Sequence, residues 1–261
     1  MAKIEDLLQR RTDLSTFLVH LTRDAANGKT PLDNLKSIVK AQTIKARNAF
    51  GPAAHLEEHL AGSPATQTAV CLTETPLEHV WMMLERIDGR SFHFEPYGLA
   101  ITKTTGRREG FNPVWYSDIS RRGYDWPAKA VNAMVTDAVA RATVADGVVD
   151  VEALREEPVL QVTPYFEQMG PTAHGRKEFW WEREWRKVGD YYMSFPSRVT
   201  ALLAPEDDHA ELERFLVDID DAQNTKWTLR PILDPRWGLE RMIAALARVP
   251  DEHVGPFPEA Y

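Results

Sequence analysis

The decapeptide Lys177-Glu-Phe-Trp-Trp-Glu-Arg-Glu-Trp-Arg186 constrains this chain more than any other stretch, because it sets three of the eight tryptophans beside three glutamates and three bases. Read at the strand period of two, Phe179, Trp181 and Trp185 share one face, and Glu182, Glu184 and Arg186 share the other. The two carboxylates then project side by side, roughly 7 Å apart along the strand. A helical reading would instead put Glu182 and Glu184 on nearly opposite sides. Aromatic density favours the strand, as does the Tyr191-Tyr192-Met193 run that follows. On that reading Trp181 and Trp185 are core residues, and truncating Trp185 to alanine would cost about 3–5 kcal/mol.

The flanking chain reads as further short elements. A helix is expected over Ile4–Leu14, and Phe17–Thr22 follows as a strand with His20 and Thr22 on one face. Thr30-Pro31 is a cap and first-turn proline for a helix carrying Leu35, Ile38 and Val39. Val70–Thr75 reads as a strand stopped by Pro76, and a helix over Leu77–Arg86 places Leu77, Val80, Trp81 and Leu84 at helical spacing. Strands are expected at Tyr97–Thr102, Pro113–Tyr116 and Arg198–Pro205, with an extended run over Trp227–Leu233. The longer helices fall over Pro127–Thr143, Asp208–Ile219 and Leu239–Ala247. Strands with helices interspersed irregularly predict an α+β fold, mostly antiparallel mixed sheets with flanking helices.

No linker long enough to divide the chain is present, so 1–261 reads as a single domain, with room for a helical insert at about 125–157. The acidic part of that insert, 146–157, is a candidate partner surface. No run of about 18 apolar residues occurs, and the first residues lack a signal-peptide core, which predicts a cytoplasmic protein with no membrane partner. The single cysteine, Cys71, excludes an internal disulfide. A net charge of −8 argues against broad nonspecific grip on nucleic acid, which needs clustered bases. His55-Leu56-Glu57-Glu58-His59 spells the inverted zinc-protease motif. It sits in a short helix flanked by Gly, Ala and Pro, so a zinc hydrolase using His55 and His59 is a distant alternative and a solvated helix the leading one.

Taken together, the His20-Leu21-Thr22 strand, the Leu35/Ile38 helix, the strand ending Cys71-Leu72-Thr73-Glu74-Thr75, the Tyr97-Gly98 strand and the Trp181-Glu182-Arg183-Glu184-Trp185-Arg186 block resemble the abortive-infection AbiGi family. Through it they resemble, distantly, the ADP-ribosyltransferases. Together the two resemblances imply a bacterial phage-defence or toxin–antitoxin protein, and the second implies an NAD-consuming, mono-ADP-ribosyltransferase-like site. In it Glu184 would stabilise the cation that develops on the ribose, and Glu182 would act on the acceptor. His20, Thr22, Thr73 and Arg186 would bind NAD. The acceptor would be a protein or a nucleic acid, and the Leu-Thr-Glu-Thr run departs from the S-T-S pattern of one branch. The alternative is a non-catalytic antitoxin or interaction module on the same scaffold, with a toxin or antitoxin partner.

Overall fold

The computed structural model describes residues 13–23, 28–60, 65–87, 92–172, 175–193 and 196–250, so most of the helix expected over Ile4–Leu14 lies outside the described residues. The chain divides into two compact units, one of residues 1–43, 72–108 and 192–261, the other of 44–71 and 109–191.

The first unit is built on a sheet in the order Ile232–Leu233, Val199–Leu203, Gly98–Thr102, Phe17–Leu21 and the end of Thr68–Thr73. Its pairs are antiparallel except Val199–Leu203 with Ile232–Leu233. The central strands are apolar on both faces, and Leu18, Leu99, Ala100, Ile101, Ala201 and Leu202 are fully buried. Such runs read as buried strands because both faces need cover. Part of the unit's buried apolar surface comes from helices. The Pro31–Ala41 helix starts where the sequence says it should, since Thr30 and Asp33 form a reciprocal capping box and Pro31 opens the first turn. It buries Leu35 and Val39. His209–Gln223 buries Leu212, Leu216 and Ile219 at the helical period.

Two sequence expectations change here. Leu77–Leu84 winds as a 3-10 helix, whose threefold repeat buries Leu77, Val80 and Met83 and turns Trp81 out, 44% exposed. Trp227–Leu233 is extended only at Ile232–Leu233; Trp227–Leu229 is a 3-10 turn. Asp220 imposes that turn, accepting from the backbone N–H of Trp227 and Thr228 and from the hydroxyls of Thr225 and Thr228, at 2.7–2.9 Å. Four donors on one carboxylate outweigh the strand propensity of the run.

In the second unit Glu184–Val188 lies between the Thr68–Thr73 strand and Asn112–Pro113, and Asn48–Ala49 also pairs with Thr68–Thr73. A separate sheet joins Trp115–Asp118, Phe166–Thr172 and Gly175–Lys177, parallel in its first pair and antiparallel in its second. The Trp126–Ala142 helix and the Asp150-capped Val151–Arg155 helix share a buried cluster with Leu56, Leu60 and Leu160. The architecture is mixed α+β with predominantly antiparallel pairing. Among the described residues no helix is long and apolar enough to cross a membrane.

Candidate functional site

The decapeptide does not form one strand. Gly175–Lys177 ends a hairpin, Trp180–Glu182 makes a 3-10 turn, Arg183 is left-handed at φ 48°, and the strand begins afresh at Glu184. A left-handed residue cannot continue the period of two, so the face assignment fails at Arg183. The expected burial is inverted as well. Arg186 is 2% exposed and Glu182 9%, while Trp180 is 56% exposed and Trp181 and Trp185 are half-buried. Trp185→Ala is therefore expected to cost about 1–2 kcal/mol, in keeping with the smaller area it removes from the interior. A shift in the urea midpoint matching a full core truncation would contradict this.

Polar side chains occupy the interior here because they satisfy one another. Arg186 binds both oxygens of Glu184, Nε to Oε1 at 3.1 Å and Nη2 to Oε2 at 2.8 Å. Its Nη2 also donates to Glu167 at 2.8 Å and its Nη1 to the Pro164 carbonyl at 2.7 Å. The Phe50 ring lies 4.1 Å below the guanidinium carbon. Lys177 reaches the other oxygen of Glu167 at 2.6 Å. The planar fork of arginine suits such a site, since it can meet two carboxylates, a carbonyl and a ring face at once. Burial pushes the Glu167 carboxyl up, but Arg186 and Lys177 more than offset this and hold it below the usual carboxylate range.

Two further groups face the cluster. Burial and the Glu184 charge push the Tyr116 phenol up, and its hydroxyl is buried with no hydrogen-bond partner among the described residues. Burial, then Glu184, pushes the Cys71 thiol well above its ordinary value; the residue keeps partial exposure while the thiol is enclosed. A thiol pushed up in this way is a poorer nucleophile at neutral pH than an ordinary one. Alkylation of the native protein at pH 7.5 should run at least about a hundredfold slower than in urea, and equal rates would place the thiol at the surface.

Of the residues singled out from sequence, Glu182, Glu184 and Arg186 belong to this second unit, and the fold brings Glu184 and Arg186 together. His20, Thr22 and Thr73 belong to the first. His20 is half-buried and pairs across strands with Leu99. Thr22 donates to the Pro31 carbonyl at 3.2 Å. Thr73 lies 2.8 Å from the Thr75 hydroxyl and accepts the Thr75 N–H, a turn that ends its strand. The adjacent Glu74 is buried and paired with Lys103 at 2.9 Å. His55 and His59 fall on a 3-10 turn running into a one-turn helix, with His55 Nδ1 3.0 Å from the Pro52 carbonyl. Among the described residues no group of three or more His, Cys, Asp or Glu is placed to hold a metal.

Sequence reasoning missed Glu167, Phe50 and Tyr116. Glu167 sits alone as an acid in an aromatic run, Tyr165-Phe166-Glu167, and pairs in parallel register with Tyr116. That isolated acid was the available signal.

Residues 37–214, more than half of the chain, match the family model described as abortive phage resistance protein AbiGi, antitoxin. The chain belongs to the AbiGi family. The matched segment holds the whole arginine cluster together with Thr73, and leaves out His20 and Thr22. Among curated proteins and among solved structures, nothing matches the chain.

Proposed function

We infer that this protein is the antitoxin of an abortive-infection phage-defence pair and works by contact with a toxin protein. The AbiGi match over residues 37–214 carries this reading. Two features of the second unit support it. Both oxygens of Glu184 are engaged by Arg186, which offsets the negative charge a ribosyl cation would need. Large aromatic side chains, Trp115, Tyr124, Trp126 and Trp180, are also well exposed, and these are the residue types that anchor protein interfaces. Repressing the gene in its native host should arrest growth, and supplying the protein from a second copy should restore it. Normal growth under repression, with and without phage, would remove the reading.

ADP-ribosyl transfer from NAD is a separate reading, carried by the resemblance of His20, Thr73, Glu182 and Glu184 alone. Pure protein incubated with NAD separates the two. Nicotinamide release that is abolished in Glu184→Gln would favour the enzyme over the antitoxin.

A further inference from the structure

We propose that a groove in the first unit, between the His209–Gln223 helix and the 228–232 segment, receives an extended peptide segment carrying a carboxylate beside an aliphatic side chain. The proposal rests on the antitoxin reading only in taking that segment to belong to the toxin. The groove is open to solvent and offers about 480 Å³. Its lining includes the buried Leu216 and Ile232 and the more exposed Val217 and Leu229, 49% and 42% exposed.

Two guanidiniums face this apolar trough, and neither has a carboxylate partner among the described residues. Arg230 gives Nη1 to the Val199 carbonyl at 3.3 Å, and its Nε is buried with no partner. Arg248 gives Nη2 to the Leu229 carbonyl at 2.8 Å and is otherwise exposed. It ends the Leu239–Ala247 helix in the left-handed conformation, φ 59°, where glycine is the usual residue. An arginine held there strains the backbone.

The occupant follows from the charges. Arg230 and Arg248 against Glu213 leave one net positive charge at the groove of a chain whose net charge is −8. A single carboxylate neutralises that excess, and an aliphatic neighbour covers Val217 and Leu229. A nucleic-acid backbone suits the groove less well, because its repeated phosphates would meet apolar walls and Glu213.

The test uses the full chain, ¹⁵N-labelled, titrated with N-acetyl-Leu-Glu-Leu-amide and followed at the backbone amides of Leu229, Arg230 and Ile232. The peptide should shift them saturably, and N-acetyl-Leu-Gln-Leu-amide should bind at least about tenfold more weakly. Arg248→Gly is the informative variant, since glycine suits the left-handed position and preserves the helix end. It should unfold no earlier than wild type and bind the Glu peptide at least about tenfold more weakly. Equal binding of the Glu and Gln peptides, full binding by Arg248→Gly, or absence of shifts would overturn the proposal. Inorganic phosphate shifting the same amides as strongly would overturn it in favour of a plain anion site. In the growth assay above, Arg248→Gly should fail to restore growth. If it restores growth as wild type does, the groove is not the toxin contact although the antitoxin reading stands. If wild type itself restores nothing, that reading falls, and the peptide titration still decides the groove.

Discussion

Arg186→Met should destabilise the second unit by about 3–5 kcal/mol, the cost of stranding charge that is buried and paired. The substitution leaves Glu184 and Glu167 facing a thioether in place of the three charge-assisted hydrogen bonds they accept from Arg186. Arg186→Lys should recover little, because one ammonium cannot meet both oxygens of Glu184, one of Glu167 and the Pro164 carbonyl. A triple variant, Arg186→Met with Glu184→Gln and Glu167→Gln, should recover much of the loss, since it removes the charges that were stranded. The sign of the pH dependence gives a second measurement. In wild type Glu167 titrates below its ordinary 4.5, so its contribution is present above that value and is lost as the pH falls through the folded pKa. Without Arg186 only Lys177 still opposes the upward pull of burial on this carboxyl, so the loss of stability on acidification from pH 7 should be smaller than in wild type. Urea unfolding across that range reads both effects. An unchanged midpoint in Arg186→Met, or the wild-type pH slope, would show that the cluster contributes nothing.

Gly98→Ala should disrupt the first unit by about 3 kcal/mol or more, at or beyond the upper end of ordinary overpacking. A Cβ at this position would stand 2.0 Å from the His20 carbonyl oxygen and 3.1 Å from the Leu21 Cα. These are backbone atoms of the neighbouring strand, so no side chain can swing aside. Gly98 is also paired on both edges, with Leu21 and with Leu203, and relief would mean separating strands at the centre of the sheet. Soluble protein with a wild-type thermal midpoint would show that the strands can part without loss.

Much of this protein could be read along the chain wherever local chemistry and burial agree. Thr30-Pro31 with Asp33 starts a helix because the cap is satisfied within four residues. Phe17–Leu21, Gly98–Thr102 and Val199–Leu203 are strands because short β-type apolar runs bounded by turns have few other ways to be buried. The family was legible too, since the order of those pieces and the Trp-Glu-Arg-Glu-Trp-Arg block survive in one dimension.

What tertiary structure alone decided is which side of that block faces inward. Local pattern places tryptophan inside and charge outside, because it weighs each side chain by its own transfer to water. That weighing omits partners distant in sequence. Glu167, the Pro164 carbonyl and the Phe50 ring reach Arg186 only once the 166–172 strand and the 44–71 segment are folded around it. With those groups in place the guanidinium can be buried and the tryptophans left partly in solvent. The same holds for Trp227–Leu233, where Asp220, seven residues before Trp227, converts an expected strand into a turn. Periodicity fixes elements whose energy is local, and it fails where one buried charge gathers its partners from across the fold.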